Sequence, residues 1–454
     1  MPRGAKAVPP SPDFAPVRMD DVEIGRPLPD LTPGATRDGT PFAASLCLVR
    51  LHGRPLGLVE VGLPAAGLAA DALAAEIGAA LGAEVDAHLR GDGLPASELS
   101  GAGIVSPGTP ACIAAREELL ADPPFISVVI CTRNRPDSVR LTLRSILACR
   151  YPVDRWETIV VDNAAEADPS IAAAAAEADG EVPIVVVHEP EAGLSNARNR
   201  GLRAARGELV VFADDDVEVN AEWLAVLAAP FRQDERVGAS SGLTLPGSLE
   251  TPVERWTEGF GGRSRPLLVR RFDLAEPPPD NPLFPFTVGG LGAGRNMAFR
   301  RRLLERLGGF DPALGPGTIA HDGDDIEALL RVLLAGHVVV HDPAAIVWHA
   351  HPDDYRELED RVWGYGVGLT ACLTRAVIDR PSLLLDLARK LPRGLAFALS
   401  AKSEKNVGRQ RDFPRPLVRR EMFGMAYGPL AYARSRWQLR RRRARRLQSS
   451  GTHR

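Results

Sequence analysis

Three adjacent carboxylates, Asp214, Asp215 and Asp216, follow the apolar run VVFA (210–213). Carboxylates crowded at the end of such a run repel one another unless a cation joins them, and oxygen ligands of this kind suit Mg²⁺ or Mn²⁺. An ion held there bridges diphosphate oxygens and offsets charge on a leaving group. A solvated turn is the alternative use of the same residues. His349 follows a second apolar run, AAIVW (344–348), and imidazole can complete a carboxylate metal site. His351, two residues on, competes with it. Asp324 and Asp325 are a third candidate, because a general base needs a carboxylate near an acceptor hydroxyl and neighbouring carboxylates favour proton capture. The same pair would also suit a helix N-terminus. Arg198 and Arg200 lie in EAGLSNARNR (191–200), which opens a helix and so offers a place for an anion.

These residues need elements to position them. ISVVIC (126–131), TIVVD (158–162), PIVVVHE (183–189) and ELVVFA (208–213) are continuous apolar runs, as expected of strands buried on both faces. Helical segments separate them: one opened by Pro136 and Asp137, one over 171–178, and one capped by Ser195. Strand and helix alternating in this way build a parallel sheet covered by helices, with ligands at the carboxyl ends of the strands. Thr132-Arg133-Asn134, Asp162-Asn163 and Asp214-Asp215-Asp216 fall at three such ends. That alignment is the strongest functional signal in the chain.

Around this core the sequence divides into four parts. Residues 1–40 read as a flexible Pro- and Gly-rich leader. Residues 41–120 read as a small α+β accessory domain, with a strand pair around His52-Gly53-Arg54-Pro55 and an Ala-rich helix over 68–89. The main domain spans 121–375, and 376–454 form a helical, basic extension. The segment 382–399 is too short and too charged to span a bilayer; it either packs on the main domain or lies at a membrane interface. RSRWQLRRRRARR (434–446) is a solvated tail or a contact for an anionic membrane surface.

Composition sets limits. The chain has 454 residues, 45% hydrophobic and 25% charged, with a net charge of −3, so no bulk preference for nucleic acid is expected. The five cysteines form no CxxC pair, which argues against a cysteine-based zinc site and suits a reducing cytoplasm. The N-terminus lacks the apolar core of a signal peptide.

With these residues in place, the chain resembles the family 2 glycosyltransferases, which have a GT-A fold. The matching runs are VVICTRNRPDSVRLTLRSIL (128–147), IVVDN (159–163), EAGLSNARNRGLRAARGELVVFADDDV (191–217), GAGRNMAFRRRLLERLGGFDPALGPGT (292–318) and GDDIEALLRVLLAGHVVVHDPAAIVWH (323–349). The resemblance covers about residues 125–375. It implies that Thr132, Arg133 and Asn134 surround the donor nucleotide. Asp162 would bind the base, and Asn196 and Arg198 would lie along the nucleotide. Asp214 and Asp216 match the DxD motif, with Asp214 near the ribose, Asp215 also on the donor side, and Asp216 on the metal. His349 would approach the metal and diphosphate, and Arg295 and Asn296 would lie between donor and acceptor. Asp325 matches the catalytic base, and Asp324, where the family often has Glu, is a substitute for it.

The implied reaction is inverting transfer of a sugar from a nucleotide-diphosphate sugar, UDP by default, to the hydroxyl of a saccharide or lipid-linked acceptor. Mn²⁺ or Mg²⁺ is the implied cofactor. Cell-surface polysaccharide or glycolipid synthesis is the implied setting; a cytoplasmic location is expected, with the basic tail as a peripheral contact for the inner face of the plasma membrane. A nucleotidyltransferase is a rival, but CTRNRPD (131–137) is not its usual Gly-rich loop. A non-catalytic nucleotide-sugar-binding protein on the same fold is another, and the intact Asp216 and Asp325 argue against it.

Overall fold

The computed structural model describes residues 14–178, 180–260, 267–400, 403 and 413–451. The first described element contradicts the flexible leader. Residues Val17–Glu23 form a strand, β1, paired in parallel with β2 (Ala44–Leu51). The accessory domain therefore begins near residue 17; residues 1–13 lie outside the described residues. β2 turns back into β3 (Arg54–Gly62) through His52 and Gly53, both at positive φ. That is the backbone of a two-residue turn whose twist matches the hairpin. Helix α1 (Ala70–Gly91) lays Leu73, Ile77, Leu81 and Val85 on this sheet, and α2 (Ala111–Ala121) leads out of the domain.

Among the described residues, the main sheet holds nine strands. β4 (Ile126–Thr132), β5 (Trp156–Asp162), β6 (Ile184–His188) and β7 (Leu209–Asp214) are its parallel half, in the order β7-β4-β5-β6. Their connections are α3 (Pro136–Leu147), α4 (Pro169–Ala176) and α5 (Leu194–Ala204). Every residue of β4 is buried, and successive residues serve opposite cores: Val128 and Ile130 on one side, Val129 and Cys131 on the other. A two-residue period buried on both faces produces the continuous apolar run. Ser195 does not cap α5. Gly193 holds that place, and the Ser195 hydroxyl donates to the Leu314 carbonyl at 2.9 Å.

The second half mixes directions. β8 (Val217–Val219), α6 (Trp223–Gln233), β9 (Val237–Pro246), α7 (Pro252–Gly259) and β10 (Arg270–Phe272) come first. β11 (Met297–Arg300), α8 (Arg301–Arg306), α9 (Asp324–Leu334) and β12 (Val338–His349) follow. β11 lies antiparallel between β7 and β9, so the sheet stays mostly parallel with helices on both faces, as expected. Pro343 falls where the β12–β9 register shifts, the place in a strand that tolerates a missing N–H.

Three helices finish the chain: α10 (Tyr355–Asp379), α11 (Leu383–Leu399) and α12 (Arg415–Gly451). α12 packs closely on α10, and Gly428 makes this possible because a Cβ there would overlap Thr370 Oγ1 and the Val367 carbonyl. α11 is tied to the main domain by Lys390, which donates to the Phe284 carbonyl at 2.6 Å. Its Leu384, Leu385 and Leu391 remain exposed. Among the described residues, no helix is long and apolar enough to cross a membrane.

Candidate active site

The carboxyl ends of β4, β5 and β7 form one rim. β4 pairs with β7 so that Cys131 faces Asp214, which brings the loop after β4 against the triple aspartate. Thr132 Oγ1 donates to Asp215 Oδ2 at 2.6 Å, and both residues are buried. Thr132 and Asp215, expected on the donor, instead brace the turn from beneath. Arg133 and Asn134 are exposed on the rim. Arg135, which the motif reading passed over, spans Asp215 and Asp216 at 3.3 and 3.2 Å. Its side chain is 57% exposed, so its hold on the carboxylates is weak. A cation three residues beyond a polar strand end was the signal for it.

β8 turns back and pairs antiparallel with β12, setting His349 opposite Val217. That register places His349 Nε2 3.4 Å from Asp216 Oδ1. The separation is long for a hydrogen bond. The buried Nδ1 of His349 has no hydrogen-bond partner among the described residues. One ligating atom from each of Asp214, Asp216 and His349 lies within 4.8 Å of the other two. Two carboxylates and an imidazole at that spacing fit a divalent cation such as Mn²⁺ or Mg²⁺. His351 points elsewhere, to Glu258 at 3.1 Å, which resolves the competition between the two histidines.

The electrostatics agree with this arrangement. Burial opposes ionisation of Asp216, but His349, Arg135 and Arg295 outweigh it and hold the carboxyl at about 2. Burial, aided by Arg295, lowers the His349 pKa, so at neutral pH the ring keeps the lone pair that ligation needs. Burial raises Asp215, consistent with its bracing place.

Arg198 links this cluster to the second acidic group. It is 3% exposed, donates to Asp324 Oδ2 at 2.6 Å and lies 3.6 Å from Asp214 Oδ1. It is thus a buried strut under the site. Asp324 is 1% exposed and committed to Arg198, so it cannot reach an acceptor. Asp325, at the start of α9, is only partly buried and accepts the Gly294 N–H at 2.6 Å. Asp322 joins these two within 4.8 Å, and burial with the charges of Asp325 and Asp324 pushes it up to about 7.

Two further expectations change. Asn296 is fully buried, with its amide donating to the Leu243 and Ala345 carbonyls and accepting from Trp223 Nε1. It fastens β9, β12 and α6 together and does not face an acceptor. Arg295 does reach the site, 3.3 Å from Asp214 Oδ2. Asp162 is buried, and its oxygens accept the Ala164 and Asp168 amides, so it anchors the loop after β5. Asn196 stays partly exposed on the first turn of α5, its amide on the Ala192 carbonyl.

Known proteins share this region. Residues 127–308 match the model of glycosyl transferase family 2. A probable glycosyltransferase, YdaM, of Bacillus subtilis is 28% identical over 254 residues, 53% of this chain and 54% of that protein. The pre-mycofactocin glycosyltransferase of Mycobacterium tuberculosis is 26% identical over 246 residues, 53% of this chain and 46% of that protein. The chain thus spans about half the length of these curated relatives. A solved mannosyltransferase from Pyrobaculum calidifontis, in complex with GDP-Man and Mn²⁺, has 21% sequence identity and a TM-score of 0.45, covering 70% of this chain and 94% of that one.

Proposed function

Because residues 127–308 match the model of glycosyl transferase family 2, we propose that the protein transfers a sugar from a nucleotide-diphosphate sugar to an acceptor hydroxyl with inversion. The observation that carries this reading is the division of labour between two neighbouring acidic groups. Asp214, Asp216 and His349 converge on one side, and Asp325 stands on the other beside Asp324, which Arg198 links to Asp214. The first group would hold Mn²⁺ or Mg²⁺, which when bound supplies positive charge to the departing diphosphate.

The chain's own residues do the rest. Arg133 and Asn134 flank the nucleotide, for which UDP is the first choice, and Asn196 meets it from the first turn of α5. Arg295 reaches over Asp214 toward the space between donor and acceptor. Asp325, steadied by the Gly294 amide, takes the proton from the acceptor hydroxyl as that oxygen attacks the anomeric carbon. Attack on the face opposite the leaving diphosphate inverts the carbon. Asp324 acts indirectly, by holding Arg198.

The acceptor we favour is a saccharide or lipid-linked sugar of the cell surface, met at the inner face of the plasma membrane. What supports this is the far half of α12, where Arg434, Arg440, Arg441 and Arg442 are exposed beside an exposed Trp437. Basic residues flanking an aromatic suit an anionic interface. The test is transfer of labelled sugar from UDP-, GDP- and dTDP-sugars to oligosaccharide and lipid-extract acceptors, with the product anomer read by NMR. Metal-dependent transfer giving the inverted anomer supports the proposal. Metal-independent transfer or a retained anomer would refute its mechanism.

A further inference from the structure

Outside the transferase site, four side chains of different elements meet in the accessory domain. His52 stands in the β2–β3 turn, His88 in the last turn of α1, Asp92 just beyond it, and Cys112 in the first turn of α2. One ligating atom from each lies within 4.8 Å of the other three. His52 Nδ1 is 3.2 Å from His88 Nε2 and 2.7 Å from Asp92 Oδ2. Asp92 Oδ2 is 3.1 Å from His88 Nε2 and 2.9 Å from Cys112 Sγ. His52 and Asp92 are buried, and none of the four takes part in the proposed transfer.

We propose that these four residues form a structural zinc site. Two imidazoles, a thiol and a carboxylate make the mixed N, S and O set of closed, four-coordinate zinc centres, and the soft thiolate sets the site apart from those of Mn²⁺ and Mg²⁺. Outer contacts already aim the ligands. His52 Nε2 is engaged by Ser106 Oγ at 3.0 Å, which leaves Nδ1 for the centre. Asp92 Oδ1 accepts the Cys112 amide at 2.9 Å, which leaves Oδ2. His88 and Asp92 are four residues apart, one helical turn, so they share a face. His52 adopts φ 57°, a left-handed conformation that a non-glycine residue adopts at a cost.

Tetrahedral bonds of about 2.0–2.3 Å separate neighbouring ligands by roughly 3.3–3.8 Å. The four spacings given above, 2.7–3.2 Å, are shorter than this, so those ligands part to admit the ion. A cysteine nucleophile would need a ring nitrogen on the thiol as its base. Cys112 Sγ instead donates to the Asp92 carboxylate. The ion would staple the hairpin and α1 to α2, whose Leu119 belongs to the core of the main domain. The absence of a CxxC pair hid the site, because its ligands come from separated segments of the chain.

The test uses the full chain, untagged, grown with zinc and purified without chelator. Elemental analysis should find about one zinc per chain in wild type and in Asp216→Ala alike, and at least tenfold less in Cys112→Ser and His88→Ala. Should those variants fail to fold, wild type exchanged with Co²⁺ reads the site directly. It should show the visible bands of tetrahedral cobalt with a thiolate-to-cobalt charge-transfer band. Wild type that carries no zinc, cobalt bound without the thiolate band, or zinc retained in folded Cys112→Ser would each overturn the proposal.

Discussion

Asp324 and Asp325 are neighbours in sequence but have different surroundings: Asp324 is buried against Arg198, and Asp325 accepts the Gly294 amide. Asp325→Asn should lower kcat by roughly 10²–10⁴-fold, the usual worth of a general base, while leaving melting temperature and donor affinity nearly unchanged. Asp324→Asn should do the reverse first. It takes from the buried Arg198 the nearer of its two carboxylates, leaving Asp214 at 3.6 Å, and should show as a clear fall in melting temperature. Asp322 supplies a pH test. Its carboxyl sits at about 7 in the fold against an ordinary 3.8, so the folded state holds the proton more tightly than the unfolded chain. Its stability contribution is present at low pH and is lost as pH rises through about 7. Asp322→Asn should therefore gain melting temperature over wild type between pH 5 and pH 8; an unchanged difference would show that Asp322 is ionised throughout. The sequence announced the aspartates and His349 as a group. It could not announce that Arg198, Asn296 and Asp162 are buried supports, because their burial depends on pairings such as Asn296 with β9 and β12 that no local pattern encodes.

At the level of elements, two junctions carry the site. The β8–β12 pairing delivers His349 to Asp216, and the α10–α12 contact secures the C-terminal helices. Gly428→Ala should wedge these two helices apart at Thr370. Overpacking of this kind costs about 1–3 kcal/mol, and limited proteolysis should cut α12 faster than in wild type. Equal cutting rates would show that the contact yields without cost. The four parallel strands were legible because burial on both faces leaves a plain apolar run. β1 was not, since VRMDDVE carries acidic residues on its partly exposed positions. α11 was left open between packing and a membrane surface; Lys390 ties it to the main domain, and Leu384, Leu385 and Leu391 stay exposed.

Across the whole molecule, the accessory domain is not a loose appendage. Leu48 of its sheet packs against Leu243, Leu245 and Ile346 of the main sheet, and Arg54 reaches Asp342 at 3.3 Å. A chain beginning at residue 121 would expose that apolar patch. It should be recovered mostly as aggregate, and Leu243→Ser in the same truncation should restore part of the soluble yield. A fully soluble, active truncation would show the two domains to be independent. The sequence suggested a separate small domain but gave no sign of this seam, whose residues look like ordinary strand interiors.

The central claim is that Asp214, Asp216 and His349 form a metal-assisted donor site. Its most direct test is a thermal-shift screen of UDP-, GDP- and dTDP-sugars, with and without Mn²⁺, on wild type and Asp216→Ala. Ligand at one hundred times its Kd adds about 2.7 kcal/mol of stability. One nucleotide sugar should stabilise wild type only with the metal, and should leave Asp216→Ala unmoved. Equal stabilisation of both proteins without metal would contradict the account.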